Sequence, residues 1–303
     1  MNFDITILGS NSAIFSHGRH PTAQVVNIHN IHFLVDCGEG TQVRLHENKI
    51  KWFKIDYIFI SHLHGDHYFG LIGLLTTFSL LKRPNKLTIF GPKELKKIID
   101  IQLKASNTKL NFELKFVATD DTAKNLILDI PECSVYSIPL KHKLPTTGFL
   151  FVEKTEPRQL DLEKIEKYNI AKVDCKLLKQ GNDVQDATGK RIKNNLVTTK
   201  GKAARSYAFC SDTMYHLPLV KAIKNVDVLY HEATFLDADK KRANETQHST
   251  ALQAAQIAKK VNAKKLLLGH FSSRYIDLAV LQKEAKTVFE NVELAIEGEV
   301  FKV

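Results

Sequence analysis

The sequence predicts an α/β fold of two β-rich halves, and three observations predict it. Through the first third of the chain, short apolar stretches of strand length alternate with turns and helical segments. The same core patterning resumes after Arg205. Between them, from Lys154 to Arg205, periodicity fails and charge dominates, with 13 Lys or Arg against 7 Asp or Glu.

In chain order, Phe3–Leu8, Gln24–Ile28, His32–Val35 and Tyr57–Ile60 read as strands, being short, apolar and rich in β-branched or aromatic residues. Residues 39–48 and 68–82 read as helices between or after them. Leu87–Phe90 is a further strand, and Pro92 suits the first position of a helix reaching about Ser106. Strands are expected at Phe112–Val117, Ser134–Ile138 and Gly148–Val152. Within the basic stretch only Leu162–Tyr168 has an amphipathic pattern, so a projecting arm is expected there. Beyond it, Ser206–Cys210, Val226–Tyr230 and Lys265–Leu268 read as strands and Ser249–Val261 as a helix. At 303 residues the chain is expected to form one domain, residues 1–303, with an inserted arm at 154–205.

Apolar residues make up 44% and charged residues 25%, the balance of a globular chain rather than a disordered one. The four cysteines, Cys37, Cys133, Cys175 and Cys210, are scattered without a Cys-x-x-Cys pair, so neither a zinc knuckle nor a disulfide framework is expected. Met1-Asn2-Phe3-Asp4 runs straight into Ile5-Thr6-Ile7-Leu8 without a basic leader, and the expected setting is a reducing cytoplasm. The apolar stretch from Tyr68 to Leu81 is too short and too interrupted to span a bilayer, so no membrane role is expected. A formal net charge of +10 leans towards polyanionic partners.

The chemistry concentrates in Ser61-His62-Leu63-His64-Gly65-Asp66-His67, where three imidazoles and a carboxylate fall within six positions after the strand Tyr57–Ile60. Gly65-Asp66 supplies a turn in which His62 and His64 can share one metal ion while Asp66 and His67 serve a second. The remaining ligands are expected at strand ends, where a sheet holds them rigidly. His142 follows Ser134–Ile138, Asp212 follows the strand ending at Cys210, and His270 follows Leu266-Leu267-Leu268-Gly269.

His62-x-His64-x-Asp66-His67 after a strand resembles the signature of the metallo-β-lactamase superfamily. The longer string His64-Gly65-Asp66-His67-Tyr68-Phe69-Gly70-Leu71 resembles its ribonuclease Z branch. The order of the later motifs matches that branch along the whole chain: His142 before Gly148-Phe149, then Ser211-Asp212-Thr213, then His270-Phe271-Ser272-Ser273-Arg274-Tyr275. The resemblance implies a four-layer αββα sandwich, which periodicity alone does not single out. It implies one zinc on His62, His64, His142 and Asp212, and a second on Asp66, His67, Asp212 and His270, with Asp212 bridging; manganese and iron can occupy similar sites. Asp36 in Leu34-Val35-Asp36-Cys37-Gly38 matches the family's first motif and is expected to orient ligand imidazoles. His231-Glu232-Ala233-Thr234-Phe235 and His248-Ser249-Thr250 also resemble family motifs, implying that His248 approaches the scissile phosphate with support from Glu232. His17, His20, His29, His32, His46 and His216 lack metal spacing and read as ordinary histidines.

Two stretches depart from the family pattern. The early loop Ser16-His17-Gly18-Arg19-His20-Pro21 keeps a basic residue and a proline but not the family's order. The arm keeps a Leu177-Leu178-Lys179-Gln180-Gly181 stretch but lacks the Gly-Pro-rich segment that usually precedes it.

The expected activity is therefore metal-dependent endonucleolytic removal of 3′ trailers from precursor tRNA, leaving a 3′-hydroxyl on the tRNA. Asp66 would take the nucleophile's proton, and His248 would help the leaving oxygen or clamp the phosphate. Arg19, Arg274, Lys176 and Lys179 are the candidate substrate contacts, and the resemblance implies a homodimer whose arm grips folded RNA. The alternative is a small-molecule phosphodiesterase or thioesterase on the same binuclear site, which has no evident use for a basic arm.

Overall fold

The computed structural model describes residues 2–303. Two compact units separate: the residues up to Val152 together with Arg205–Val303, and the insert Glu153–Ala204.

The larger unit is built on two seven-stranded sheets. The first has the spatial order Val300–Lys302, Phe3–Gly9, Ala23–Ile28, Ile31–Val35, Ile55–Phe59, Leu87–Gly91 and Leu114–Ala118, its last four strands running parallel. The second has the order Val292–Leu294, Lys265–Gly269, Val228–Glu232, Ser206–Cys210, Thr147–Glu153, Cys133–Pro139 and Asn125–Asp129, its first four strands parallel.

Alternation along each strand sorts the core into layers. Phe33, Phe59 and Phe90 face Phe149, Phe151, Tyr207 and Phe209 between the sheets, while the neighbouring Leu34, Ile58 and Ile89 turn the other way. Phe33 meets Phe151 at 5.5 Å and Phe59 meets Phe149 at 5.1 Å between ring centroids. The outer face of the first sheet packs against helices Thr41–Glu47, Leu71–Leu80 and Lys93–Ala105. That of the second packs on helices Ala251–Val261 and Ala279–Lys286. Each fully buried aromatic or branched side chain contributes about 1.5–3 kcal/mol. The order helix, sheet, sheet, helix is the expected four-layer sandwich.

Several local expectations are corrected. The helix expected over 68–82 spans Leu71–Leu80, and a separate short helix, Gly65–Tyr68, precedes it. They part at Gly70, where a Cβ would collide with the Gly38 carbonyl. The helix expected from residue 39 starts at Thr41, because Gly40 before it holds φ at 82°. The strands Asn125–Asp129, Val292–Leu294 and Val300–Lys302 were not anticipated; they are short and lie near or at sheet edges, with few fully buried positions.

The insert has a small core of its own: Ile170, Leu178, Val184, Ile192 and Val197. Two-residue strands pair Gln159–Leu160 with Thr198–Thr199 and Val184–Gln185 with Arg191–Ile192. Asp161 caps the helix Leu162–Lys167 by accepting from the Lys164 amide. The buried Asn194 amide donates to the carbonyls of Leu178 at 2.8 Å and Asn182 at 2.9 Å. Arg158, Lys176 and Lys179 line a surface pocket of about 470 Å³ within this unit.

Candidate metal centre

The polar cluster forms at the carboxyl ends of the parallel strands in both sheets, where open α/β sheets place their sites. Asp36 follows Ile31–Val35, and His62 comes just after Ile55–Phe59. Asp212 follows Ser206–Cys210, Glu232 ends its own strand, and His270 follows Lys265–Gly269. Asp36, Asp212 and His270 leave their strands in the left-handed region, with φ of 56°, 51° and 57°. Such backbone costs about 1 kcal/mol for a non-glycine residue and collects where a side chain must be aimed.

Two sets of donor atoms result. In the first, His62 Nε2 lies 2.9 Å from His64 Nδ1, which lies 3.2 Å from His142 Nε2. Asp212 Oδ2 completes this set, 3.5 Å from His62 Nε2 and 3.7 Å from His142 Nε2. In the second, Asp212 Oδ1 sits 3.1 Å from Nε2 of both His67 and His270. Asp66 Oδ2 lies 3.4 and 3.5 Å from those same nitrogens. The two oxygens of Asp212 thus face different sets.

The outer nitrogens determine what the inner ones can do. His67 Nδ1 donates to Asp36 Oδ2 at 2.7 Å. His142 Nδ1 donates to the Gln247 carbonyl at 2.9 Å. Ser61 Oγ gives its proton to Asp36 Oδ2 and so accepts from His62 Nδ1 at 3.0 Å. Thr234 Oγ1 donates to Glu232 Oε2 and accepts from His270 Nδ1 at 3.0 Å. With those protons placed outward, the Nε2 lone pairs point inward. Nε2 of His67 and of His270 are buried with no hydrogen-bond partner among the described residues. Inward lone pairs beside carboxylates repel one another unless a cation lies among them. Nitrogen and oxygen donors are the ligands a divalent transition metal takes.

The carboxylates favour positive charge at this spot, whether a proton on His67 or a metal ion in its place. Burial alone would press His67 towards neutrality, but Asp212, Asp66 and Asp36 outweigh it and raise its pKa well above the ordinary value. Burial likewise opposes charge on Asp212, yet His270, His67 and His62 hold its carboxyl well below the usual range. Three carboxylates this deeply buried call for cationic charge.

Beside the second set, His248 Nδ1 donates to Glu232 Oε1 at 2.9 Å. Glu232 is fully buried and also accepts from the amides of Thr213 and Ser249 and from the Thr234 hydroxyl. The His248 ring lies 4.9 Å from that of His142 and 5.3 Å from that of His270.

A cleft of about 590 Å³ opens over these groups; its lining includes Asp66, His248, Phe69, Phe235, Arg242 and Arg274. Arg274 stacks over Phe235 at 5.0 Å and pairs with Asp239. Arg19 points elsewhere, its guanidinium donating to Asn11 Oδ1 and to the carbonyls of Tyr275 and Ile276. Lys176 and Lys179 belong to the insert. Sequence reasoning missed Ser61 and Thr234 as bridges and the Gln247 carbonyl as the brace of His142. Ser61 and Thr234 stand inside the quoted motifs, so adjacency was the available signal; a backbone carbonyl has none. Among the ordinary histidines, His20 braces the early loop against Glu297, with its Nδ1 2.9 Å from Oε2.

Fold and site together define a metallo-β-lactamase-fold hydrolase with a divalent-metal site of histidines and aspartates. A family model described as Anti-Pycsar protein Apyc1 matches residues 3–155, a stretch that ends before Asp212 and His270. Over nearly the whole chain the similarity is to ribonuclease Z. The chain is 42% identical over 297 residues to "Ribonuclease Z" of Parabacteroides distasonis, covering 98% of each. It is 46% identical over 305 residues to that of Cytophaga hutchinsonii, covering 100% of this chain and 97% of the relative. Among solved structures, the short form of human tRNase Z superposes with a TM-score of 0.72 at 29% identity, covering 99% of both chains. The metallo-β-lactamase-fold protein YhfI from Bacillus subtilis superposes with a TM-score of 0.69 at 20% identity. The chain belongs to the ribonuclease Z family.

Proposed function

We infer that this protein is an endoribonuclease that removes 3′ trailers from precursor tRNA, leaving a 3′-hydroxyl on the tRNA and a 5′-phosphate on the trailer. The observation that carries the reading is Asp212 facing two donor sets, with the His248–Glu232 pair beside them.

In this reading two divalent ions, zinc first among the candidates, would be held by His62, His64, His142 and Asp212 and by Asp66, His67, Asp212 and His270. Metal in such a site makes water nucleophilic near neutral pH and offsets charge on the phosphoryl oxygens. The protein's own groups do the rest. Asp66, whose Oδ2 also accepts from the Ala13 amide at 2.8 Å, takes the nucleophile's proton. Asp36 keeps His67 aimed by holding its Nδ1. His248, its Nδ1 committed to Glu232, presents Nε2 to the departing 3′ oxygen and supplies its proton. Arg274 offers a cation to the phosphate backbone at the cleft.

The insert is the RNA-gripping exosite in this account: Arg158, Lys176 and Lys179 line its pocket, and it carries 12 basic against 8 acidic residues. A homodimer working in the cytoplasm is part of the same proposal. No helix among the described residues is long and apolar enough to cross a membrane. The test is a comparison of kcat/KM on precursor tRNA and on a chromogenic phosphodiester. The ribonuclease reading predicts a large preference for the tRNA. Preference for the small diester supports the phosphodiesterase alternative.

A further inference from the structure

We propose that Phe69 is the platform on which the first nucleotide of the trailer stacks; this rests on the ribonuclease reading above. Large aromatic side chains are ordinarily buried, yet Phe69 is 66% exposed while lining the cleft that holds Asp66 and His64. Its ring is seated: a Cβ on Gly65 would collide with it, so the glycine between two donor residues makes the bed on which the ring lies. The Phe69 amide donates to the Gly65 carbonyl at 2.9 Å, and Tyr68 meets the ring edge-on at 5.0 Å. The result is a braced aromatic face, open to solvent, two residues beyond the cluster His62–His67. An unpaired base is bound by such a face through stacking that tolerates any sequence.

The cleft has two sides by origin. His248, Phe235 and Arg274 come from the second-sheet half, and Phe69, Gly65 and Asp66 from the first. Cleavage that leaves a 3′-hydroxyl on the tRNA makes the last tRNA nucleotide the bearer of the departing oxygen. That oxygen is the one assigned to His248 above, which puts the upstream nucleotide on the second-sheet side. The nucleotide joined through its 5′ oxygen is left with the first-sheet side and with Phe69.

The test crosses two changes. Wild-type protein, F69A and F69W are assayed on an intact precursor, on one lacking only the first trailer base, and on one lacking only the last tRNA base. On the intact precursor F69A should lose about 5- to 150-fold in kcat/KM, the range expected for one base–aromatic stack. F69W, which keeps a π-face, should retain most of the activity. Removing the first trailer base should slow the wild type by a similar factor and abolish the difference between wild type and F69A. A penalty for F69A that persists without the trailer base overturns the stacking role. Loss of the difference with the upstream base missing instead overturns the assignment to the trailer. Wild-type protein inert on the intact precursor overturns the ribonuclease reading and this inference with it.

Discussion

His248 Nδ1 lies 2.9 Å from Oε1 of Glu232, a carboxylate with no solvent exposure. Burial acts against a charged imidazole here, but the Glu232 charge and hydrogen bond outweigh it and raise His248 to about 9. A proton donor of raised pKa stays charged across the neutral range and loses its proton as pH rises through that value. Activity that needs protonated His248 is therefore present below this pH and declines above it.

Replacing the donor should slow cleavage without emptying the metal site. H248A should fall about 10²–10⁴-fold in kcat on precursor tRNA with metal content unchanged by elemental analysis. Wild-type turnover would return His248 to a structural role.

E232Q keeps the length of the side chain and removes its charge, while turning one of its two acceptor oxygens into a donor that faces other donors. The alkaline limb of the kcat/KM profile should move to lower pH, because the main group raising His248 is gone. A limb that stays in place would mean another group governs it.

Asp212 faces both donor sets, so D212A should be the most damaging ligand change. The expected result is loss of at least one metal per chain together with activity. Full metal retention would show that it is not the bridge.

Asp36 can be tested more gently. D36N tolerates the left-handed backbone and can still accept from the Ser61 amide, but it withdraws the charge from His67 Nδ1. Metal affinity measured against a competing chelator should weaken by about 10- to 100-fold. Unaltered affinity would leave Asp36 as a turn residue only.

Excising residues 155–200 with a short linker should separate recognition from chemistry, since no proposed ligand lies among them. Binding of precursor tRNA should weaken and its salt dependence flatten, because fewer counterions are released. Hydrolysis of a small phosphodiester should change little. Undiminished tRNA processing would remove the exosite role.

The candidate ligands were legible because metal chemistry restricts both residue type and spacing: His62, His64, Asp66 and His67 declare themselves within one turn. His142, Asp212 and His270 needed the order of motifs as well, since a lone histidine or aspartate at a strand end is unremarkable. What holds them was mostly not legible. Thr234 belongs to a common polar type, and Gln247 acts through a carbonyl. The strands and the basic insert could be read along the chain, but the layering of two sheets could not, because a run such as Tyr57–Ile60, apolar at every position, does not name its neighbours. In the insert, strands of two residues are too short to show any period.

The most direct test of the central claim is the chemistry of the cut ends. Purified protein incubated with a precursor tRNA should release one trailer bearing a 5′-phosphate and a tRNA bearing a free 3′-hydroxyl. A metal chelator should stop the reaction, and added divalent metal should restore it. A 2′,3′-cyclic phosphate on the tRNA, or cleavage indifferent to the chelator, would contradict the account.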